Sequence, residues 1–325
     1  MPIQVAAAGE ALIDLIAGAD GRFEPCLGGA VFNLTRAIAR QGVGATYLNP
    51  LSADRFGRQL AQALEQDGVL LARPEGVVEV TSLAVVAVNA AGHPDYAFYR
   101  QGVADRAVTA EGLNQACAQH ASVEVVCTGA LALSADDADT YLPWLSDQRA
   151  RGKTVVVDAN LRPSVMPDLA AYRRNVMHAL QYADIIKTSD EDLETLGTTG
   201  TDALDRARRL LDSTSARLLA LTLGEQGACL LSRDGGIWRA AEAGPVTVVD
   251  TVGAGDCFLA GLLVALLRHG HQQGAPLDGL NDDLALHLLS HALASATLCV
   301  MRRGAVPPSW DEVCNRVALV PCLLA

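Results

Sequence analysis

A chain of 325 residues, half of them hydrophobic and only 19% charged, has enough apolar material for one large α/β domain or two ordinary ones. Its net charge of −12 argues against broad nucleic-acid or anionic-membrane binding, which need basic surfaces. Eight cysteines without a C-x-x-C pair read as reduced, mostly buried thiols. The N-terminus lacks a basic leader, and Glu10 and Asp14 interrupt its apolar stretch. No apolar run is read as membrane-spanning, the best, residues 257–267, being too short, so a cytoplasmic globular protein is expected.

Residues 3–9 form a small apolar run, expected to be the first strand of a sheet. Residues 10–16 alternate loosely and end in the turn Gly18-Ala19-Asp20-Gly21. A second extended segment, residues 81–99, is broken at Ala91-Gly92-His93-Pro94, a hairpin signal. Between them two helices are expected, residues 30–41 stopped by Gly42 and residues 57–66 stopped by Gly68. From residue 123 onward apolar runs at 123–128, 154–158, 184–187, 218–223 and 246–249 are mostly separated by helix-length amphipathic segments. That rhythm means a parallel sheet covered on both faces, with ligands at the carboxyl ends of its strands. The N-terminal extended segments break the rhythm and read as a separate small sheet. Two short patterns carry no function: the sequon Asn33-Leu34-Thr35, and a terminal Cys322-Leu323-Leu324-Ala325 with no basic stretch before it, read as a packed apolar tail.

The chain is organised around Asp250-Thr251-Val252-Gly253-Ala254-Gly255-Asp256. A β-branched run, residues 245–249, precedes it and reads as a strand; an apolar run from Cys257 reads as a buried helix stopped near Gly270. The glycines therefore lie where a strand becomes a helix, and free backbone N–H groups with the positive end of the helix dipole make an anion site there. A carboxylate beside a phosphate site repels phosphate, so Asp256 is placed to take a proton from an attacking hydroxyl. The stretch alone is equally compatible with a tight turn and a dipole-favoured first-turn aspartate. It is not a dinucleotide fingerprint, since Phe258 stands where the third glycine belongs, and Gly152-Lys153-Thr154 has Asp147 at the first-glycine position of a P-loop.

Polar residues gather at the other strand ends: Asp158 to Arg162, Lys187-Thr188-Ser189 followed by acids, and Thr222 to Gly227. Singly each suits a solvated loop or a helix cap. Together they supply phosphate positioning, a metal-holding acid, close backbone approach and a proton acceptor.

At this point Gly28-Gly29-Ala30-Val31-Phe32-Asn33 and the 250–256 stretch resemble the two signatures of the ribokinase-like (PfkB) sugar kinases, over nearly the whole chain. Within that family the chain is most similar to bacterial fructokinases, through residues 99–106, 158–162 and 299–308. The resemblance implies a single three-layer α/β/α domain over residues 1–325, with a mostly parallel central sheet. It also implies a small β-sheet lid built from residues 11–26 and 81–100 that often serves as a dimer interface. Asp256 would be the base, Gly253, Ala254 and Gly255 the anion hole, and Arg162 would lie near the phosphates. Asp14, Gly28, Gly29 and Asn33 would bind the sugar, with Arg100 at the lid edge. Lys187, Ser189, Thr222, Gly224 and Gly227 would line the ATP site. The family's Asn-x-x-Glu element, which helps organise Mg²⁺, appears as Ser189-Asp190-Glu191-Asp192, leaving Asp192 as the metal candidate; Asp250 matches a monovalent-cation position that K⁺ would fill.

The expected activity is phosphorylation of the primary hydroxyl of D-fructose by ATP through direct in-line transfer. Three alternatives stay open. One is a 2-keto-3-deoxygluconate kinase in which Arg100 and Arg162 clamp the substrate carboxylate. The second is a ribose or nucleoside kinase, ranked lower for nucleosides because aromatics make up only 4% of the chain. The third is a non-catalytic sugar- or nucleotide-binding regulator.

Overall fold

A computed structural model describes residues 3–18, 20–88, 94–273, 277, 279–320 and 322–324. The N-terminal half runs β1 (Ile3–Ala7), β2 (Leu12–Ala17), β3 (Phe23–Gly28), α1 (Ala30–Arg40), β4 (Gly44–Tyr47), α2 (Arg55–Gln66), β5 (Leu70–Leu71), β6 (Ser82–Val88), β7 (Pro94–Tyr99) and α3 (Ala110–Ala118). It continues through β8 (Val125–Gly129), α4 (Ala138–Ala150), β9 (Thr154–Asp158), α5 (Leu169–Leu180), β10 (Ile185–Ser189), α6 (Asp190–Leu196), α7 (Ala203–Asp212) and β11 (Leu218–Thr222). The remainder comprises β12 (Ala228–Ser232), β13 (Ile237–Glu242), α8 (Ala254–Gln273), α9 (Asp282–Val300), α10 (Trp310–Leu319) and β14 (Cys322–Leu324).

Ten strands form one sheet in the order β14-β13-β12-β11-β10-β9-β8-β1-β4-β5. Pairing is parallel from β11 to β5 and antiparallel from β11 to β14. Alternate residues of the central strands divide between two cores. Val5, Cys127, Val156, Ile185 and Leu218 join one, and Ala6, Val126, Val155, Ile186 and Leu219 the other. That division is the period-2 consequence of a sheet covered on both faces. The three-layer expectation is met, and the apolar terminal Cys322 does pack on the body through β14. Strands β12 and β13 were not legible in the apolar rhythm.

The segments expected to form a lid make a second sheet of four strands, β3-β2-β6-β7, with β2 and β6 parallel and the outer pairs antiparallel. Leu12, Ala84 and Leu131 make a small core where it meets the body. The expected hairpin tip at residues 91–93 lies outside the described residues, as does Ala19 of the first turn.

Two local expectations are corrected. Residues 245–249 are not a strand. Val246, Val248 and Val249 are exposed, and the Val249 and Asp250 N–H groups donate to the Val300 carbonyl at 2.8 and 3.2 Å. The run thus serves the C-terminal end of α9, whose last carbonyls have no partner within the helix. Gly270 does not stop α8 either. A helix-interior glycine costs only about 1 kcal/mol relative to alanine, and the buried apolar face from Cys257 to Leu267 outweighs that. Helix α9 is, contrary to expectation, long and apolar enough by length and composition to cross a bilayer; 61% of that stretch is buried inside the protein.

Candidate active site

The loop after residue 249 delivers Gly253 at φ 78°, a left-handed conformation suited to glycine. A Cβ there would meet Ala305 Cβ at 2.7 Å, so the loop also needs the smallest residue for packing. Helix α8 then begins at Ala254 and carries Asp256 in its first turn. Of the three expected anion-hole residues, Ala254 is the weakest donor, because its N–H is spent on the Thr251 carbonyl at 3.2 Å. Asp256 is buried, and its Oδ2 accepts a hydrogen bond from Asn33 Nδ2 at 2.9 Å. Burial raises its pKa, while the Asn33 bond and the charges of Lys187 and Arg162 pull the other way.

Asn33 reaches Asp256 from α1, 223 residues earlier in the chain. Helix α1 has no side-chain cap of its own. Glu10, from the loop after β1, takes that part: its Oε1 accepts from Ala30 N–H at 3.1 Å and its carbonyl accepts from Phe32 N–H at 3.3 Å. Gly29, at φ 110°, makes this approach possible, since a Cβ would lie 2.6 Å from the Glu10 carbonyl oxygen. Burial raises the Glu10 carboxyl to about 7, with Arg100 opposing. Glu10 was not among the expected site residues. Its only sequence signal was a carboxylate interrupting an apolar run.

Asp14 on β2 faces Gly28 on β3, where a Cβ would lie 2.1 Å from Asp14 Oδ2. Burial raises the Asp14 carboxyl to about 6, against the Arg162 charge. Arg162 is exposed, with Nη1 donating to the Leu161 carbonyl at 3.0 Å. Asn33 Oδ1 is buried without a partner, an acceptor beside the base. The structure thus brings Asp14, Gly28, Gly29, Asn33, Arg162 and Asp256 to one place, where β2 and β3 of the second sheet meet the N-terminal ends of α1 and α8.

Beneath the glycine loop lies a buried ion pair. Lys187 Nζ is 3.1 Å from Asp158 Oδ1, and a Cβ on Gly255 would lie 2.9 Å from that same ammonium. Burial alone would lower the Lys187 pKa, yet Asp158, Asp192 and Asp256 together hold it above its usual range. Asp158, the partner, was not singled out individually in the sequence.

The nucleotide and metal expectations fare differently. Thr222 ends β11 with Oγ1 3.4 Å from the Thr188 carbonyl, and Gly224 is exposed at φ 56°. Gly227 is buried, and its position serves the β-sheet: a Cβ would lie 2.2 Å from the Ala240 carbonyl oxygen. Ser189 and Asp192 form a reciprocal cap of α6, and Asp192 Oδ1 also accepts from Leu161 N–H at 2.7 Å. Both Asp192 oxygens therefore hold backbone in place. Asp250 likewise accepts from Val252 and Gly304 N–H at 3.0 and 2.9 Å, tying two loops together. No group of three His, Cys, Asp or Glu placed to hold a metal occurs among the described residues. Arg100 is not a solvated surface residue. Its guanidinium pairs with Asp105 at 3.3 Å and donates to the Leu131 carbonyl at 3.2 Å.

A buried carboxylate in the first turn of a helix, a glycine loop before it and polar side chains beside it suit a phosphotransferase acting on an alcohol. The chain belongs to the pfkB family of carbohydrate kinases, whose model matches residues 3–311. It is 32% identical to a fructokinase of Zea mays over 94% of each chain. It is 33% identical to a fructokinase of Rhizobium leguminosarum bv. trifolii, over 79% of this chain and 78% of that one. Its fold superposes on the crystal structure of the Xylella fastidiosa fructokinase with bound ATP at a TM-score of 0.82, with 26% identity, covering 97% of this chain and 98% of that one.

Proposed function

We propose that this carbohydrate kinase transfers the γ-phosphoryl group of ATP to the primary hydroxyl of D-fructose. The observation that carries the reading is the Asn33–Asp256 hydrogen bond, which joins a polyol-binding amide to a base at the start of α8. Asp256 accepts the hydroxyl proton as the sugar oxygen attacks the γ-phosphorus in line, and ADP departs. The N–H groups of Gly253 and Gly255 face the charge that develops on the transferred group, with the Lys187 ammonium beneath them. The lid over Asp14 and Gly28 keeps out water, which competes with the sugar for the phosphoryl group.

Fructose is favoured by the fructokinases among the relatives. The keto-acid reading loses its clamp, because Arg100 is committed to Asp105. Mg²⁺ would be carried by the nucleotide phosphates, where it screens their charge, since the Asp192 oxygens already serve backbone donors. Asp250 and the carbonyls beside it are the residues that would hold K⁺. Dimerisation through the lid is supported by Ile16, Phe23 and Tyr99, exposed large side chains on β2, β3 and β7.

The test is ADP release from MgATP, with K⁺ present, against fructose, ribose, 2-keto-3-deoxygluconate and adenosine. Fructose should be strongly preferred, and Asp256→Ala should lower kcat by about 10²–10⁴-fold while nucleotide binding persists. Normal turnover in Asp256→Ala would refute the assignment of the base.

A further inference from the structure

Two thiols meet directly behind the anion-binding loop. Helices α8 and α9 pack closely where Gly261 leaves room: a Cβ there would lie 2.6 Å from the His291 carbonyl oxygen and 2.8 Å from Ser295 Cβ. One helical turn back along α8 and one turn on along α9, the facing residues are Cys257 and Cys299. The Cys257 N–H donates to the Gly253 carbonyl at 2.9 Å, and the two thiols lie close enough to bias each other's ionisation. The Cys299 thiol lies 3.5 Å from the Val252 carbonyl oxygen and 3.6 Å from where a Gly253 Cβ would stand. All eight cysteines are free. The pair is buried, but its cover is thin: Val252 is 43% exposed.

We propose that Cys257 and Cys299 form a reversible regulatory disulfide that switches off phosphoryl transfer by displacing the anion-binding loop and the adjacent base. The proposal rests on the reading of residues 253–256 as the catalytic end of α8. The oxidant is a peroxide. The Cys299 thiolate attacks one peroxide oxygen, giving a sulfenic acid and releasing hydroxide. The Cys257 sulfur then attacks the sulfenic sulfur, its proton leaving with the displaced hydroxide as water. Two thiols and one hydrogen peroxide thus become one disulfide and two waters. Cys299 is the fitting first nucleophile, because its sulfur is the one that lies against the partly exposed Val252.

A disulfide brings the two sulfurs to about 2.0 Å, well inside non-bonded contact. Cys299 must then leave the Val252 carbonyl, and Cys257 carries its neighbour Asp256 with it. A misplacement of about 1 Å at a reacting group can cost on the order of a hundredfold in rate.

The experiment treats the reduced protein with hydrogen peroxide, maps peptides by mass spectrometry without reduction, and assays turnover before and after dithiothreitol. The expected result is a Cys257–Cys299 cross-linked peptide, turnover down about a hundredfold, and recovery on reduction. Cys257→Ser and Cys299→Ser should each lack the cross-link and keep the turnover they had before peroxide. Absence of the cross-linked peptide, a cross-link without loss of turnover, or the same loss in both serine variants would overturn the proposal. The last outcome would place the damage at another cysteine, with Cys26 and Cys314 the half-exposed candidates. Peptide mapping needs no sugar. A reduced protein that turns over no sugar would sink the kinase reading while still leaving the cross-link measured.

Discussion

Replacing Asn33 by alanine separates the base from the sugar site in a way that pH can read. Asn33 Nδ2 donates to Asp256 Oδ2 at 2.9 Å, inside a buried site. A hydrogen bond to a charged group is worth roughly 1.5–3 kcal/mol, and 1.36 kcal/mol corresponds to one pH unit. Losing the donor should therefore raise the Asp256 pKa by about 1–2 units above its already elevated value. The base works ionised, so activity falls as pH drops through that pKa, and the acid limb of the kcat/KM profile for fructose should move to higher pH. On the alkaline plateau Asp256 is ionised in both proteins, so any difference there reports sugar contacts alone. Asp14, raised to about 6 by burial, can contribute to the wild-type limb, but it makes no bond to Asn33 and its share should stay in place. An acid limb that does not move in Asn33→Ala would refute the reasoning, whatever happens on the plateau.

Gly28→Ala puts a Cβ 2.1 Å from Asp14 Oδ2 and must displace that carboxylate; KM for fructose should rise about tenfold, the equivalent of one hydrogen bond, while KM for ATP stays put. Gly253→Ala meets both a φ of 78°, costing about 1–2 kcal/mol, and Ala305 at 2.7 Å, so kcat should fall about a hundredfold or more; a wild-type kcat would contradict the anion-hole role. Glu10, buried and raised from 4.5 to about 7, favours the folded state when protonated, so its contribution to stability declines as pH rises from about 5 to 7. Glu10→Gln should flatten that decline, by at most about 3 kcal/mol, in chemical unfolding measured at pH values either side of the window; an unchanged slope would mean the carboxyl does not titrate there.

Much of this was legible because local signals agreed. The apolar runs at 154–158 and 218–223 alternate with amphipathic helices, which leaves few topologies beyond a parallel sheet. The 250–256 stretch suits a tight turn equally well by itself, and its chemistry became legible through the polar strand ends around it and the resemblance of its motif. What was missed has a common cause. Glu10, Asp158 and the Lys187 position beneath Gly255 act through contacts between distant strand ends, and single residues carry no periodic signature. Residues 245–249 misled for the same reason: their composition suits a strand, but the Val300 carbonyl decides where their N–H groups go. The backbone donors on the oxygens of Asp192 and Asp250, the two metal candidates, were equally invisible in the sequence.

The buried charges under the loop answer a difficulty posed by the motif itself. An ionised Asp256 close to a polyanionic nucleotide should repel the very group it helps transfer, and at 4 Å near a protein surface one such pair costs about 4 kcal/mol. On the proposed reading Lys187 offsets part of that cost, the rest of its charge being shared with Asp158. Its ammonium lies against Gly255, shares the fields of Asp158 and Asp192, and is buried away from solvent. The partner Asp158 holds the ammonium in place, Asp192 holds the Leu161 and Ser189 backbone around it, and Gly255 lets it come close without a side chain between. On the proposed reading a base and a phosphoryl group share one helix end, and the positive charge that lets them do so comes from the middle of β10.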